Sequence, residues 1–273
     1  MTTAAATTTV ELLHFARQSP RAAQMLAALA RTAPLSGVEL HEGDAYRGTS
    51  DWLLLWGPGG PDRVEPMRQQ LAAGGHVVAL DLAYWSRQTK VRVTIDAPHP
   101  QAWVMRQTRS PLRFLADPVA IGSAWNPKGP VIVAGVGPKA AAQYGETVAR
   151  WERTMIDACR ARGCRVRYRR KSWRAPVPSG VTLTSDAPIE RVLRDASLLI
   201  TWHSNVAIDA LRLGIPVVCR DGAAATICPA TLPDELRPLS IAVRTQFLHN
   251  LAWWQWAPQE AAACWAFLQA GVA

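Results

Sequence analysis

Lysine is scarce in this chain. Only four of the thirty basic residues are lysine (Lys90, Lys128, Lys139 and Lys171), and the other 26 are arginine. Cysteine is scarce as well. Five cysteines, an odd number at irregular spacing, exclude a disulfide framework of the secreted type. Cys159 and Cys164 have no second ligand pair in the sequence, so no metal site is expected. No apolar run is as long as a membrane span, which argues against integral membrane contact. The start, "MTTAAATTTVELLHFARQ", has no basic residue ahead of an apolar core. No signal peptide is therefore expected, and a cytoplasmic location is the default, a phage's host cytoplasm included. The absence of internal repeats excludes solenoids and propellers.

What is there points to a globular α/β protein. The chain has 273 residues, 49% of them hydrophobic, which is enough for one large domain or two modest ones. Its net charge is +9. An arginine-rich positive excess suits phosphorylated partners, because guanidinium grips phosphate in a fixed fork. A GC-rich genome accounts equally well for arginine over lysine, but not for the excess of positive charge. Twelve tryptophans outnumber four phenylalanines and four tyrosines. Most of them are expected in the core, yet Trp253, Trp254 and Trp256 cannot share one helical face, so at least one should meet a ligand or partner.

Periodicity sets the organisation. Helices are expected over 10–17, 21–31 and 61–75, the last opened by Pro61 and closed by Gly74-Gly75. Buried strands are expected over 51–57 and 76–81, and an exposed, alternating one over 91–96. The stretch "GSAWNPKGP" (122–130) looks like a linker. The pattern then restarts: strand 131–137 into a glycine turn, helix 147–163, strand 164–170, helix 189–196, strand 197–202, a short helix, and the strand "PVVCR". Two Rossmann-like α/β units follow, 1–125 and 126–245, with a helical tail over 246–273. The length is short for two complete units, so the first should be trimmed.

Ligands of open parallel sheets lie beyond the carboxyl ends of the strands. At those ends stand the Gly57–Gly60 turn, with Gly59 where a ligand could approach; Asp81; Gly135-Val136-Gly137; Arg170-Lys171; and Trp202-His203-Ser204-Asn205. Ser204 or Asn205 can cap the helix that follows, and its N-terminus is a seat for phosphate. Asp209, four residues after Asn205, falls on the same face, where a carboxylate could accept from sugar hydroxyls. The bland alternative is a plain N-cap and a solvated charge. In "CRVRYRR", Arg165, Arg167 and Arg169 alternate with Val166 and Tyr168, which on a strand puts the arginines on one face. Asp81 and His99 are the two candidate bases, each equally readable as a loop residue.

The stretch "LLITWHSNVAIDALRLGIPVV", together with "VIVAGVGPK", resembles the nucleotide-sugar segment of GT-B fold glycosyltransferases and related sugar-nucleotide epimerases. The segments "VVALDLAYWSRQ" and "FLHNLAWWQWAPQE" are similar to phage-type glycosyltransferase-like proteins. The resemblance implies that Ser204 and Asn205 meet the donor's diphosphate; His203, Gly137 and Gly59 are further candidate substrate-binding residues at the strand ends. It implies that Asp209 meets the ribose, where glutamate is the commoner family residue. Arg170 and Lys171 would then stabilise the leaving diphosphate, and no metal or other cofactor would be needed beyond a UDP- or GDP-linked sugar. The leading acceptor is a hydroxymethylated base in phage DNA, with Arg165, Arg167 and Arg169 on the backbone and the base flipped out. A surface glycan or lipid-linked sugar is the alternative, and a non-catalytic nucleic-acid-binding module on the same fold is the third reading. The sequence leaves the oligomeric state open.

Overall fold

The computed structural model describes residues 7–15, 19–137, 140–141, 145, 149–172, 175–184 and 186–272. The chain forms two compact units. Unit 1 is Met1–Pro100 with Trp254–Ala273, and unit 2 is Gln101–Trp253.

Unit 1 opens on strand β1 (Thr8–Leu13), where a helix over 10–17 is expected. Its last four residues are buried, Glu11 among them. The Glu11 carboxylate accepts from the backbone N–H of Arg47 (2.6 Å) and of Gly48 (3.1 Å), so a charged residue sits inside a sheet at tolerable cost. That one buried carboxylate made the strand look amphipathic. Helix α1 (Pro20–Thr32) follows, with Pro20 in its first turn and the Ser19 hydroxyl accepting from Ala22 N–H. Strands β2 (Val38–Gly43) and β3 (Trp52–Trp56), helix α2 (Pro61–Ala72), and strands β4 (His76–Leu82) and β5 (Val91–Ile95) complete the first pass. β2, β1, β3 and β4 lie parallel in that order, and β5 is antiparallel to β4. The exposed alternation expected over 91–96 is corrected: all five residues of β5 are buried. Thr94 does so by donating its hydroxyl to the carbonyls of Ala79 and Ala97.

Unit 2 begins with two short helices, α3 (Gln101–Val104) and α4 (Leu112–Leu115). Then come β6 (Val131–Ala134), α5 (Arg150–Ala161), β7 (Val166–Arg169), β8 (Thr182–Leu183), α6 (Ile189–Arg194), β9 (Leu198–Thr201), α7 (Val206–Leu213), β10 (Val217–Cys219) and α8 (Ile241–Ala252). Its five strands are all parallel, ordered β10-β9-β6-β7-β8. Val131, Val133, Leu198, Ile200, Tyr168, Trp151 and Ile156 form its core. The 122–130 stretch joins no units but lies within unit 2. Gly122 N–H donates to Arg212 O (2.6 Å), Ala124 N–H to Leu213 O (2.8 Å), and the Trp125 indole to Ser197 O (2.9 Å). Glycine and proline serve there to lay backbone along the end of α7, and the chain divides at 100/101 instead of 125/126.

The tail is divided as well. α8 belongs to unit 2, while strand β11 (Gln255–Trp256) and helix α9 (Ala261–Val272) return to unit 1. β11 pairs antiparallel with β5 and gives unit 1 a sixth strand, so that unit's sheet is not trimmed. Buried Gln255 accepts from the N–H groups of Tyr84 (2.6 Å) and Trp85 (3.0 Å). Trp265 of α9 is fully buried and donates to Leu29 O of α1 (3.0 Å). Trp254 and Trp256 pack on Phe267 at ring-centre distances of 5.0 and 5.4 Å. Trp253 is the half-buried member of the three.

Candidate functional site

In unit 2 the chain moves from β6 through β7 to β8 on one side, then crosses to β9 and β10 on the other. The strand order reverses between β6 and β9, and the crevice outside their carboxyl ends is where an open α/β sheet takes ligands. The pairing of Ala134 with Thr201 brings the two ends level. Gly135-Val136-Gly137 leaves one end and Trp202-His203-Ser204-Asn205 leaves the other, so the two expected motifs start from adjacent strand ends.

The glycine turn is shaped by what packs beneath it. A Cβ on Gly135 would overlap the Tyr168 hydroxyl, so a larger residue fits only if that ring or the turn shifts. The same hydroxyl is hydrogen-bonded to Glu152. Burial first, and the Glu152 carboxylate second, hold it above its ordinary value. Glu152 lies in the first turn of α5, is 2% exposed, and accepts from Val136 N–H at 2.8 Å. A buried carboxylate thus pins the turn, a role absent from the sequence reading because Glu152 resembles any polar residue on a helix. A Cβ on Gly137 would lie 3.4 Å from Lys171 Cγ, which places Lys171 across the turn. Arg170 precedes it and lines a cavity of about 330 Å³ with Tyr168, Arg169, Ser172, Thr184 and Asp186. Gly137, Arg170 and Lys171 are thus gathered at neighbouring strand ends.

On the β9 side, Trp202 is buried against Trp151, with ring centres 5.4 Å apart, and the Arg220 guanidinium lies 4.3 Å over its ring. The Ser204 hydroxyl accepts from Val206 N–H at 3.4 Å, and Asn205 occupies the cap position in a helical conformation. His203 passes close under Gly222, whose added Cβ would stand 3.0 Å from the His203 carbonyl oxygen. Asp209 is not a solvated charge: it is 8% exposed and meets Arg212 Nε at 3.4 Å. Arg212 also bonds Glu190 at 3.0 Å, so Asp209 ends a Glu190–Arg212–Asp209 chain between α6 and α7.

Arg160, Arg165 and Arg167 line one cavity of about 400 Å³ with Cys164, Val166 and Thr182. Arg165 precedes β7 at the amino edge and donates to Lys128 O (2.9 Å); Arg160 and Arg162 donate to the carbonyls of Gly180 and Pro233. Arg167 is exposed on β7, and Arg169 donates to Ala187 O (3.2 Å) at the carboxyl end.

Unit 1 reverses its strand order between β1 and β3. The Gly57–Gly60 turn, with Gly59, leaves β3 there; Gly57 has φ +71° and donates to Leu80 O at 2.7 Å. His14 leaves β1, and its Nε2 lies 2.6 Å from Glu42 Oε2 at the end of β2. This imidazole–carboxylate pair escaped the sequence reading because 10–17 was assigned to a helix. One strand further on, Asp81 and His99 prove to be two ends of one chain. Arg92, 3% exposed and opposite Asp81 in the β4–β5 register, donates Nη2 to Asp81 Oδ2 (2.8 Å) and Nη1 to His99 Nδ1 (3.2 Å). Guanidinium only donates, so His99 Nδ1 must accept and the ring proton sits on Nε2. Asp81 also accepts from Leu82 N–H at 2.7 Å.

No protein-family model matches the sequence, and no curated protein matches it. Solved structures do. The Thermosulfurimonas dismutans KpsC beta Kdo 2,7 transferase has a TM-score of 0.54 at 14% identity, over 96% of this chain and 99% of that one. The beta Kdo 2,4 transferase of the same KpsC has a TM-score of 0.52 at 10% identity, over 97% and 98%. The fold is of GT-B type. At such identities the likeness carries the fold and no residue roles. The GT-B architecture agrees with the expected pair of Rossmann-like units and C-terminal helix. Among the described residues no three His, Cys, Asp or Glu side chains are grouped to hold a metal ion, and no helix is long and apolar enough to cross a membrane.

Proposed function

We propose that the chain is a glycosyltransferase that binds a nucleotide-linked sugar on unit 2. The observation that carries this reading is the crevice at the strand-order reversal. There the Gly135–Gly137 turn, Lys171, Arg170 and the Ser204–Asn205 start of α7 come to adjacent strand ends. The turn lets ligand approach backbone, and the two cations match charge growing on a leaving diphosphate. An acceptor hydroxyl attacks the anomeric carbon, the bond from that carbon to phosphate oxygen breaks, and the hydroxyl proton passes to a base. Asp209 reaches the ribose while held by Arg212. UDP- and GDP-linked sugars are the proposed donors, with no metal and no other cofactor.

Three side chains of unit 1 have the chemistry of a general base. His99 Nδ1 already accepts from Arg92, which weakens its case. Asp81 keeps a side-chain exposure of 37% and stays in contention. His14 joins it: with Nε2–H given to Glu42, its Nδ1 lone pair can take a proton. For the acceptor, we favour the glycan or lipid-linked sugar over the hydroxymethylated DNA base. Arg160, Arg162, Arg165 and Arg169 are tied to carbonyls, and the two similar structures described above are named Kdo transferases.

The experiment is a panel of nucleotide-linked sugars and sugar acids, read by thermal shift, donor hydrolysis and transfer, with and without EDTA. A donor that shifts the melting temperature and is turned over supports the reading; an unchanged kcat in Arg170→Ala/Lys171→Ala removes that pair from it. Glycan oligosaccharides and hydroxymethylated duplex, offered side by side, decide the acceptor. No shift and no turnover with any donor, alongside salt-sensitive DNA binding, would instead support the binding module.

A further inference from the structure

Residues 101–116 carry an arrangement that donor binding does not use. The segment is fixed to the C-terminal end of α8. Arg109 N–H donates to Asn250 Oδ1 (2.8 Å), Gln246 Nε2 to Arg109 O (3.3 Å), Arg113 Nε to Ala252 O (3.3 Å), and the Trp253 indole to Ser110 O (3.0 Å). Phe114 is buried 5.1 Å from the His249 ring. Although anchored on all these points, the segment turns Leu112 (70% exposed), Leu115 (62%) and Met105 (39%) to the outside. Leu112 and Leu115, three apart on α4, share a side of that turn. A well-held segment rarely leaves two leucines this bare without a partner.

The surroundings say which partner. Arg106 lies 4.4 Å over the Trp103 ring; Arg109 and Arg113 lie 5.7 and 5.8 Å from the Trp253 ring. Residues 97–116 hold three arginines and no Asp or Glu, between Asp96 and Asp117. Bare leucines that can enter acyl chains, indoles at their margin and guanidiniums beside them match the three layers of an anionic bilayer surface. We infer that the 101–116 face of unit 2 docks peripherally on anionic phospholipid, with Leu112 and Leu115 inserted and Arg106, Arg109 and Arg113 at headgroup level. A protein groove would want the leucines without the ring of positive charge. This inference does not depend on the donor reading, since no sugar or nucleotide enters it.

The test is co-sedimentation of the whole chain with vesicles of phosphatidylcholine alone, or with about a third phosphatidylglycerol. The wild type should pellet with the anionic vesicles, only weakly with the neutral ones, and less as salt rises. L112Q/L115Q should lower the binding constant by more than tenfold, because each buried leucine is worth at least that factor. Arg106→Gln should lower it about fivefold. All three side chains are exposed, so circular dichroism and melting temperature should match the wild type. Equal binding of L112Q/L115Q and wild type, equal binding to both vesicle types, or no pelleting would overturn the inference. So would light scattering that shows a wild-type dimer dissolved by L112Q/L115Q, which would give the patch to a second copy.

Discussion

Unit 2 builds its sheet from one continuous stretch of chain, with five parallel strands in register and core residues that are nearly all apolar. Unit 1 builds four parallel strands, adds an antiparallel fifth, and takes its sixth from the tail. The two place their buried polar groups differently. Unit 1 buries Glu11, Arg92, Thr94, His99 and Gln255, and each satisfies backbone or another side chain where the sheet is irregular. Unit 2 concentrates its buried carboxylates, Glu152 and Asp209, near the carboxyl ends of its strands. Unit 2 also buries Arg244, which donates to the carbonyls of Leu239, Gly122 and Leu211, and Asn250, which accepts from Arg109 N–H, so both units use buried polar side chains to tie irregular backbone.

The sharpest way to break the comparison is at the tail. Trp265→Ala should destabilise unit 1 by about 3–5 kcal/mol, the cost of removing a large buried ring and its hydrogen bond. Hydrogen exchange should then rise across β1, α1 and β5, with the strands of unit 2 unchanged. Equal loss of protection in unit 2 would contradict the division at 253/254.

Gly135→Ala is the corresponding change in unit 2. The new methyl meets Tyr168 Oη and Cζ at 2.1 and 2.7 Å, so ring and turn must part. Overpacking of this kind costs about 1–3 kcal/mol. Thermal denaturation followed by exchange at β6 and β7 measures it. Glu152→Gln is milder, about 1 kcal/mol, because one amide must serve two donors, Val136 N–H and the Tyr168 hydroxyl. Its readout is donor affinity by calorimetry, which should fall if that turn holds the donor.

The smallest effect is in pH. Burial lowers the His249 value in unit 2, so the folded state binds fewer protons than the unfolded one. Stability should therefore decline as pH falls through about 6.5 and level off below the folded value. In unit 1, the Thr9 backbone N–H and hydroxyl lower the Asp51 value. Its contribution is present above about 4 and is lost as pH falls further. Acid should thus affect unit 2 first. His249→Gln should flatten the upper window alone, and Asp51→Asn the lower.

The sequence by itself determined the central strands of unit 2 and the helix after β9, but not β8, the 101–125 segment or the assignment of 241–252 to this unit. Strands 131–134, 166–169 and 198–201 and helix 206–213 are each announced by local signals: an apolar run, a glycine stop, a polar turn. Because the ligand end of a parallel sheet follows from strand direction, Gly137, Arg170, Lys171 and Ser204 could be singled out before their placement was known. In unit 1 the apolar strands at 52–56 and 76–82, the two helices at 20–32 and 61–72 and the strand at 91–95 were legible. β1 was hidden by buried Glu11 and β11 by lying some 160 residues from its partner strand, while β5 was expected as a strand but read as exposed because Arg92 and Thr94 are polar. The tertiary structure alone decided that Asp81 and His99 are joined through Arg92, that His14 meets Glu42, and that Asp209 is held by Arg212. Composition and period describe what a residue does to its neighbours in sequence. Whether a charge is buried, and against what, depends on chain that arrives from elsewhere.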